Sequence, residues 1–225
     1  MSDQSSVFDM IGPVMIGPSS SHTAGVVRIG RVARKILGGV PETGEITFYN
    51  SFARTYEGHG SDRAIIAGLL DFHTDDVRIK TSFDEAENSG FNYKFRAIGN
   101  ASTMHPNTVK VEVSRGEKTI TVVGESRGGG VIKITEVNGF SVGFNANLTT
   151  MILMAQDKKG AIAFIATVLA NDECNIASMS VNRKGKHDTA CHVIEMDSKP
   201  PKVTIDYIKH LNWINEVVFI PDIDF

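Results

Sequence analysis

Between residues 151 and 220, short apolar runs alternate with turn residues, and this alternation restricts the possible folds more than any other feature of the chain. Met151 to Gln156 (MILMAQ) suits a strand, and Asp157-Lys158-Lys159-Gly160 is a turn. Ala161 to Asn171 (AIAFIATVLAN) is apolar at helical spacing. Ile176 to Arg183 alternates as a strand does, Lys184-Gly185-Lys186 is a hairpin turn, and Thr189 to Asp197 returns. Pro200-Pro201 breaks the chain, Thr204 to Leu211 suits a helix, and Glu216 to Ile220 a last strand. The order β-α-β-β-α-β predicts a ferredoxin-like plan over residues 148–225. The small, polar stretch Gly143 to Thr150 is the expected boundary. Residues 1–147 then form a first domain, and the fold class is α/β (α+β).

At roughly 100–200 residues per domain, a chain of 225 residues has room for both. Its formal net charge of -3 argues against a nucleic-acid partner, which needs a concentrated basic face. No apolar run approaches the ~20 residues needed to span a bilayer. The start, MSDQSSVFDM, has neither the basic nor the apolar region of a secretory signal. A cytoplasmic chain without a membrane partner is expected. Cys174 and Cys191 are too few for a disulfide framework or a four-thiolate metal site. No metal is therefore expected on this chain, and any iron–sulfur cluster in its chemistry would be held by another.

The chemistry is expected in the first domain, which holds four of the seven histidines. Gly17-Pro18-Ser19-Ser20-Ser21-His22-Thr23-Ala24-Gly25 runs into Val26 to Leu37 (VVRIGRVARKIL), which is apolar at helical spacing. Ser19 to Thr23 thus stand where a helix begins. A hydroxyl there can cap orphan N–H groups, and hydroxyls and N–H groups together can bind a carboxylate. One Ser or Thr suffices for a cap; three serines abutting His-Thr exceed it.

A second stretch, Asn50 to Arg63 (NSFARTYEGHGSDR), follows a strand at Ile46 to Tyr49 and opens onto a helix at Ala64 to Leu70. It reads as a loop in which Gly58 and Gly60 leave His59 accessible. Histidine titrates near neutrality and serves proton transfer. A third, His105-Pro106-Asn107-Thr108, precedes the strand Val109 to Val113 and is either a turn or part of the same site. Ser126-Arg127-Gly128-Gly129-Gly130 lies between two strands without the pattern of a phosphate-binding loop. His73, His187, His192 and His210 have no supporting cluster and read as structural or solvent-facing.

Val7-Phe8-Asp9-Met10-Ile11-Gly12-Pro13, the string Gly17 to Gly25, Gly58-His59-Gly60-Ser61-Asp62 and His105 to Thr108 come in an order that resembles the beta chain of bacterial iron–sulfur L-serine dehydratases (L-serine ammonia-lyases). The resemblance covers essentially the whole chain. It implies an α/β first domain similar to the allosteric substrate-binding domain of some phosphoglycerate dehydrogenases. The last part resembles an ACT domain, although the proline often seen before the glycine of the turn is absent here. That likeness implies an amino-acid effector at Asp157, Gly160 and Ala161; the other reading of the turn is a packing and dimerisation module without a ligand.

The resemblance further implies a separate alpha chain holding a [4Fe–4S] cluster, homodimer contacts within a hetero-oligomer, and no pyridoxal phosphate. The setting is amino-acid catabolism and gluconeogenesis. An iron with an open site would act as Lewis acid on the leaving hydroxyl of L-serine. His59 would take the α-proton, as the catalytic partner of His22. Ser19, Ser20, Ser21, Thr23, His105, Asn107 and Thr108 would bind the substrate. Two rivals remain: a stand-alone amino-acid-binding regulatory module, and a Ser/His hydrolase, for which the chain has no G-x-S-x-G nucleophile elbow.

Overall fold

Val26 to Leu37, apolar at helical spacing, forms α1 (Gly25–Leu37), a helix covered on both sides. Arg28 and Arg31 are buried with its apolar residues, Arg28 donating to the Gly130 carbonyl at 2.8 Å, and Arg34 and Lys35 alone are not buried. The computed structural model describes residues 13–101, 103–185 and 188–223, so the expectations for Val7 to Gly12, Lys186 and His187 lie outside the described residues. The chain divides into two units, one up to Asn138 and one from Gly139 on.

In the first unit, α1 is followed by β1 (Thr43–Tyr49), α2 (Asn50–Thr55), α3 (Ser61–Leu69), a 3-10 turn (Val77–Thr81) and α4 (Ser82–Asn88). Four strands complete it: β2 (Asn92–Ile98), β3 (Thr108–Arg115), β4 (Lys118–Gly128) and β5 (Val131–Val137). They lie in the order β2-β1-β3-β4-β5. β1 and β2 are parallel, with Ile46 opposite Phe95, and the helices between them supply the long crossover that a parallel pair needs. The β1–β3, β3–β4 and β4–β5 pairs are antiparallel. Ile46 and Phe48 of β1, Val109, Val111 and Val113 of β3, and Val122 of β4 are buried. α1 lies over β3 and β4 on one side and meets α3 on the other.

That second contact is closer than side chains permit. A Cβ on Gly68 would stand 2.1 Å from the Val27 carbonyl oxygen, and one on Gly30 would stand 2.7 Å from that of Ile65. Two glycines thus let α1 and α3 pack backbone against backbone. α2, α4 and β2 are findings beyond the sequence reading, and α3 begins at Ser61 rather than Ala64.

The second unit starts with β6 (Phe140–Phe144). It continues with β7 (Thr149–Gln156), α5 (Ala161–Asn171), β8 (Ile176–Arg183), β9 (Thr189–Met196), α6 (Lys202–Lys209) and β10 (Ile214–Ile220). Its sheet has the antiparallel order β10-β7-β9-β8, which is the expected ferredoxin-like plan. Met151, Leu153, Ile194 and Met196 face Ala161, Ile165 and Leu169 of α5 and Ile208 of α6, with Trp213 closing the cluster. β6 packs near β8 and β9 and falls in this unit, while the expected boundary at 147/148 lies just ahead of the start of β7 and of the four-stranded sheet. The small residues of Gly143 to Thr150 end one strand and start another. α6 starts earlier than Thr204 because the Pro201 carbonyl accepts its first N–H groups, from Thr204 and Ile205. No helix among the described residues is long and apolar enough to cross a membrane.

Gly68→Ala should destabilise the protein by about 1–3 kcal/mol, the usual cost of overpacking. Gly99→Ala, where a Cβ meets nothing within 4 Å, should not. Urea unfolding of the two full-length variants, followed by far-UV circular dichroism, checks this.

Candidate active site

The chain enters α1 through a π-helical turn, Ser20–Ala24. Ser19 before it is extended (φ -152°, ψ 128°); the Thr23 N–H donates to the Ser19 carbonyl at 2.8 Å, and the Gly25 N–H donates to that of Ser20. Single π-turns of this kind recur at functional sites. No side chain caps either the π-turn or α1, so the capping alternative for these hydroxyls falls away. Two of the hydroxyls turn to the imidazole instead. Ser21 Oγ lies 3.0 Å and Ser19 Oγ 3.2 Å from His22 Nδ1, and the two oxygens are 3.2 Å apart.

The other face of His22 meets α2 and the loop after it. Its Nε2 is 3.2 Å from Thr55 Oγ1, and its ring is 5.0 Å from that of Phe52, centroid to centroid. The His59 ring meets it edge-on, with centroids 4.5 Å apart and an interplanar angle of 85°. His59 is held by its own N–H, which donates to the Thr55 carbonyl at 2.9 Å. Gly60 at φ 70° then turns the chain so that the Ser61 N–H reaches the Tyr56 carbonyl and α3 can begin. His59 is exposed, as a group that meets a ligand must be, while His22 is half-buried. Burial, and then the charge of His59, hold the His22 imidazole below its ordinary pKa. At neutral pH His22 is uncharged.

Ser20 is half-buried in the π-turn. Thr23 is buried, and its Oγ1 lies 2.2 Å from where a Cβ on Gly17 would stand. His105, Asn107 and Thr108 form a turn with its own bonds. The Asn107 N–H donates to His105 Nδ1 at 3.2 Å, and the Thr108 hydroxyl donates to the His105 carbonyl at 2.7 Å. Burial also lowers the pKa of His105. This turn is tied to the histidine pair through α2, because the Pro106 carbonyl accepts the Ser51 N–H at 2.9 Å. Asn50, at φ 52°, secures the same loop, donating from Nδ2 to the Ala101 and Met104 carbonyls.

The structure therefore brings together Ser19, Ser21, His22 and His59, and links His105 and Asn107 to them through one short helix. Thr55, Ser51, Phe52 and Asn50 are the residues that sequence reasoning missed. The available signal was Ser51, Thr55 and His59 at four-residue spacing, which puts them along one side of a helical stretch. In the second unit, Asp157 Oδ2 pairs with Arg183 Nη1 at 2.7 Å, Gly160 is left-handed, and Ala161 is the buried first residue of α5. Of the remaining histidines, His73 is exposed beside Arg31, His192 is buried on β9, and His210 is exposed.

No group of three His, Cys, Asp or Glu side chains among the described residues could hold a metal. Both cysteines are buried, and burial pushes the Cys191 thiol up to about 11, away from the thiolate that a metal needs. The residues present do not fit an iron–sulfur cluster.

A family model described as Serine dehydratase beta chain matches residues 6–94, the span from before the π-turn into β2. The "Probable L-serine dehydratase, beta chain" of Bacillus subtilis is 48% identical over 217 residues, 96% of this chain and 98% of that one. The chain belongs to the serine dehydratase beta chain family. Another member, the "L-serine dehydratase, beta chain" of Peptoniphilus asaccharolyticus, is 39% identical over 85% of this chain and 87% of its own. The chain is also similar to a D-3-phosphoglycerate dehydrogenase of Bacillus subtilis, 24% identical over 72% of this chain and 30% of that protein. The family match takes in the π-turn and His59 and stops short of His105.

The His22–His59 contact has a measurable consequence. In an NMR titration His22 should ionise below the ordinary imidazole range. His59→Gln, which removes the neighbouring charge, should raise its midpoint; an unchanged midpoint would disprove the coupling.

Proposed function

We propose that this chain is the beta subunit of a cytoplasmic L-serine ammonia-lyase, which converts L-serine to pyruvate and ammonia together with an alpha chain that carries a [4Fe–4S] cluster. The observation that carries the reading is the His22–His59 pair, set against serine hydroxyls in a chain related along almost its whole length to a beta chain. The residues described in this chain do not fit the cluster, which is therefore assigned to the partner.

This chain's share is the proton and the grip on the substrate. Removal of the α-proton of L-serine needs a base within hydrogen-bond reach, and the exposed His59 imidazole is the group free to come that close. Ser19, Ser20 and Ser21 hold the polar groups of the substrate beside it, and His22 orients two of those hydroxyls. Loss of water leaves aminoacrylate, which hydrolyses to pyruvate and ammonia after release. The second unit serves as an ACT-like regulatory module, with Asp157, Gly160 and Ala161 at its effector turn. Support for that role is the ferredoxin-like order and the N-terminus of α5, where a carboxylate is favoured.

Two measurements test this. The isolated chain should deaminate no serine, and activity should appear on anaerobic co-expression with the neighbouring open reading frames; an active, iron-free isolated chain would refute the two-chain reading. In the active complex, with iron content checked, His59→Ala should lower kcat by about 10²–10⁴. His22→Asn should raise KM as much as it lowers kcat. Normal kcat in His59→Ala would remove His59 from catalysis.

A further inference from the structure

The hydrogen bonds around His22 have a direction that can be counted. The Thr55 hydroxyl donates its one hydrogen to the Ser51 carbonyl, 2.9 Å away, and a carbonyl can only accept. Towards His22 Nε2, at 3.2 Å, Thr55 Oγ1 therefore has only lone pairs to offer. The hydrogen of that contact must lie on the imidazole. A neutral imidazole with hydrogen on Nε2 has a bare Nδ1. Facing Nδ1 are Ser21 Oγ at 3.0 Å and Ser19 Oγ at 3.2 Å, both able to donate. The chain of hydrogens runs one way, from the serines through His22 and Thr55 to the Ser51 carbonyl.

We propose that Thr55 is a positioning residue that locks His22 in its Nε2–H tautomer, making Nδ1 the acceptor for the Ser19 and Ser21 hydroxyls. Two consequences follow. Nε2 is occupied by Thr55 and cannot take a proton from substrate, so the α-proton falls to His59. At least one serine hydroxyl spends its hydrogen on Nδ1 and presents lone pairs elsewhere, as an acceptor for the ammonium or β-hydroxyl of an amino acid. The hydrogen on Nε2 stands on geometry, and the bare Nδ1 on that geometry in a neutral ring; these catalytic consequences rest on the ammonia-lyase reading.

Without Thr55 the direction is no longer imposed. A valine would leave the Nε2–H without an acceptor, which is costly at a half-buried site. The hydrogen would then favour Nδ1, where it would donate to the serines and reverse their polarity.

The test is long-range 1H–15N NMR on the full chain labelled with 15N-histidine, at a pH where His22 is neutral. His22 should be the Nε2–H tautomer in the wild type and in Thr55→Ser. It should gain Nδ1–H character in Thr55→Val. A wild-type His22 with hydrogen on Nδ1 overturns the proposal, even if Thr55→Val does not fold. So does a folded Thr55→Val that keeps the Nε2–H tautomer. In the reconstituted complex, Thr55→Val should lower kcat/KM by about 10–100-fold, taking as its scale the loss when the hydrogen bond that orients a metal-bound histidine is removed, and Thr55→Ser should restore it. A changed tautomer with unchanged kcat/KM overturns the positioning role. A wild-type complex that deaminates no serine sinks the ammonia-lyase reading and leaves the tautomer assignment standing.

Discussion

Two helices that touch through their backbones set the geometry of the first unit. Gly30 and Gly68 remove the side chains that would hold α1 and α3 apart, and the sheet closes over the opposite side of α1. Helices packed this tightly cannot slide or rotate without driving a carbonyl into a Cα. Their N-terminal ends are thereby fixed relative to one another. The π-turn with Ser19 to His22 leads into one end, and the His59 loop leads into the other. The 4.5 Å contact between the two rings is thus a property of the helix crossing as much as of the loops.

From that contact the electrical character of the site follows. Burial and a neighbouring histidine both disfavour a charged His22, so the ring works as a neutral hydrogen-bonding group at neutral pH. His59 lies outside this shelter and stays open to a ligand. One ring is fixed by its bonds and the other left accessible, which matches a division between orientation and proton transfer. The buried cysteines of the second unit share in none of this, since their burial suits packing and opposes ligation.

The second unit was legible almost element by element, because each strand and helix shows its own apolar period and each join has turn residues. Ala161 to Asn171 forms α5 with the expected bounds, and the four strands pair in the expected order. In the first unit the long, strongly periodic α1 was equally plain. What escaped were α2, α4 and β2; α2 has six residues, too few to show a period, and it starts from Asn50 at a positive φ, which Asn tolerates but which the residue type alone does not announce. The same gap hid Thr55. A threonine in an apparent loop carries no sign of chemistry until the loop becomes a helix and brings its hydroxyl to Nε2 of His22. The serines and both histidines were visible as residue types, but the use of the hydroxyls on the ring, rather than on the helix end, is a fact of three dimensions.

The π-turn before α1 carries a further meaning for how such a motif is inherited. It closes on a bond from Gly25 back to Ser20, one residue more than an α-helical turn would hold. A helix advances by about 100° per residue. Shortening this turn by one residue would therefore swing the serines and His22 more than a quarter of the way round the axis of α1, away from Thr55 and His59. A relative that kept every letter of the serine-histidine string, but lost one residue ahead of the helix, would carry the motif and lack the site. In this chain spacing is as much a part of the site as the residues themselves.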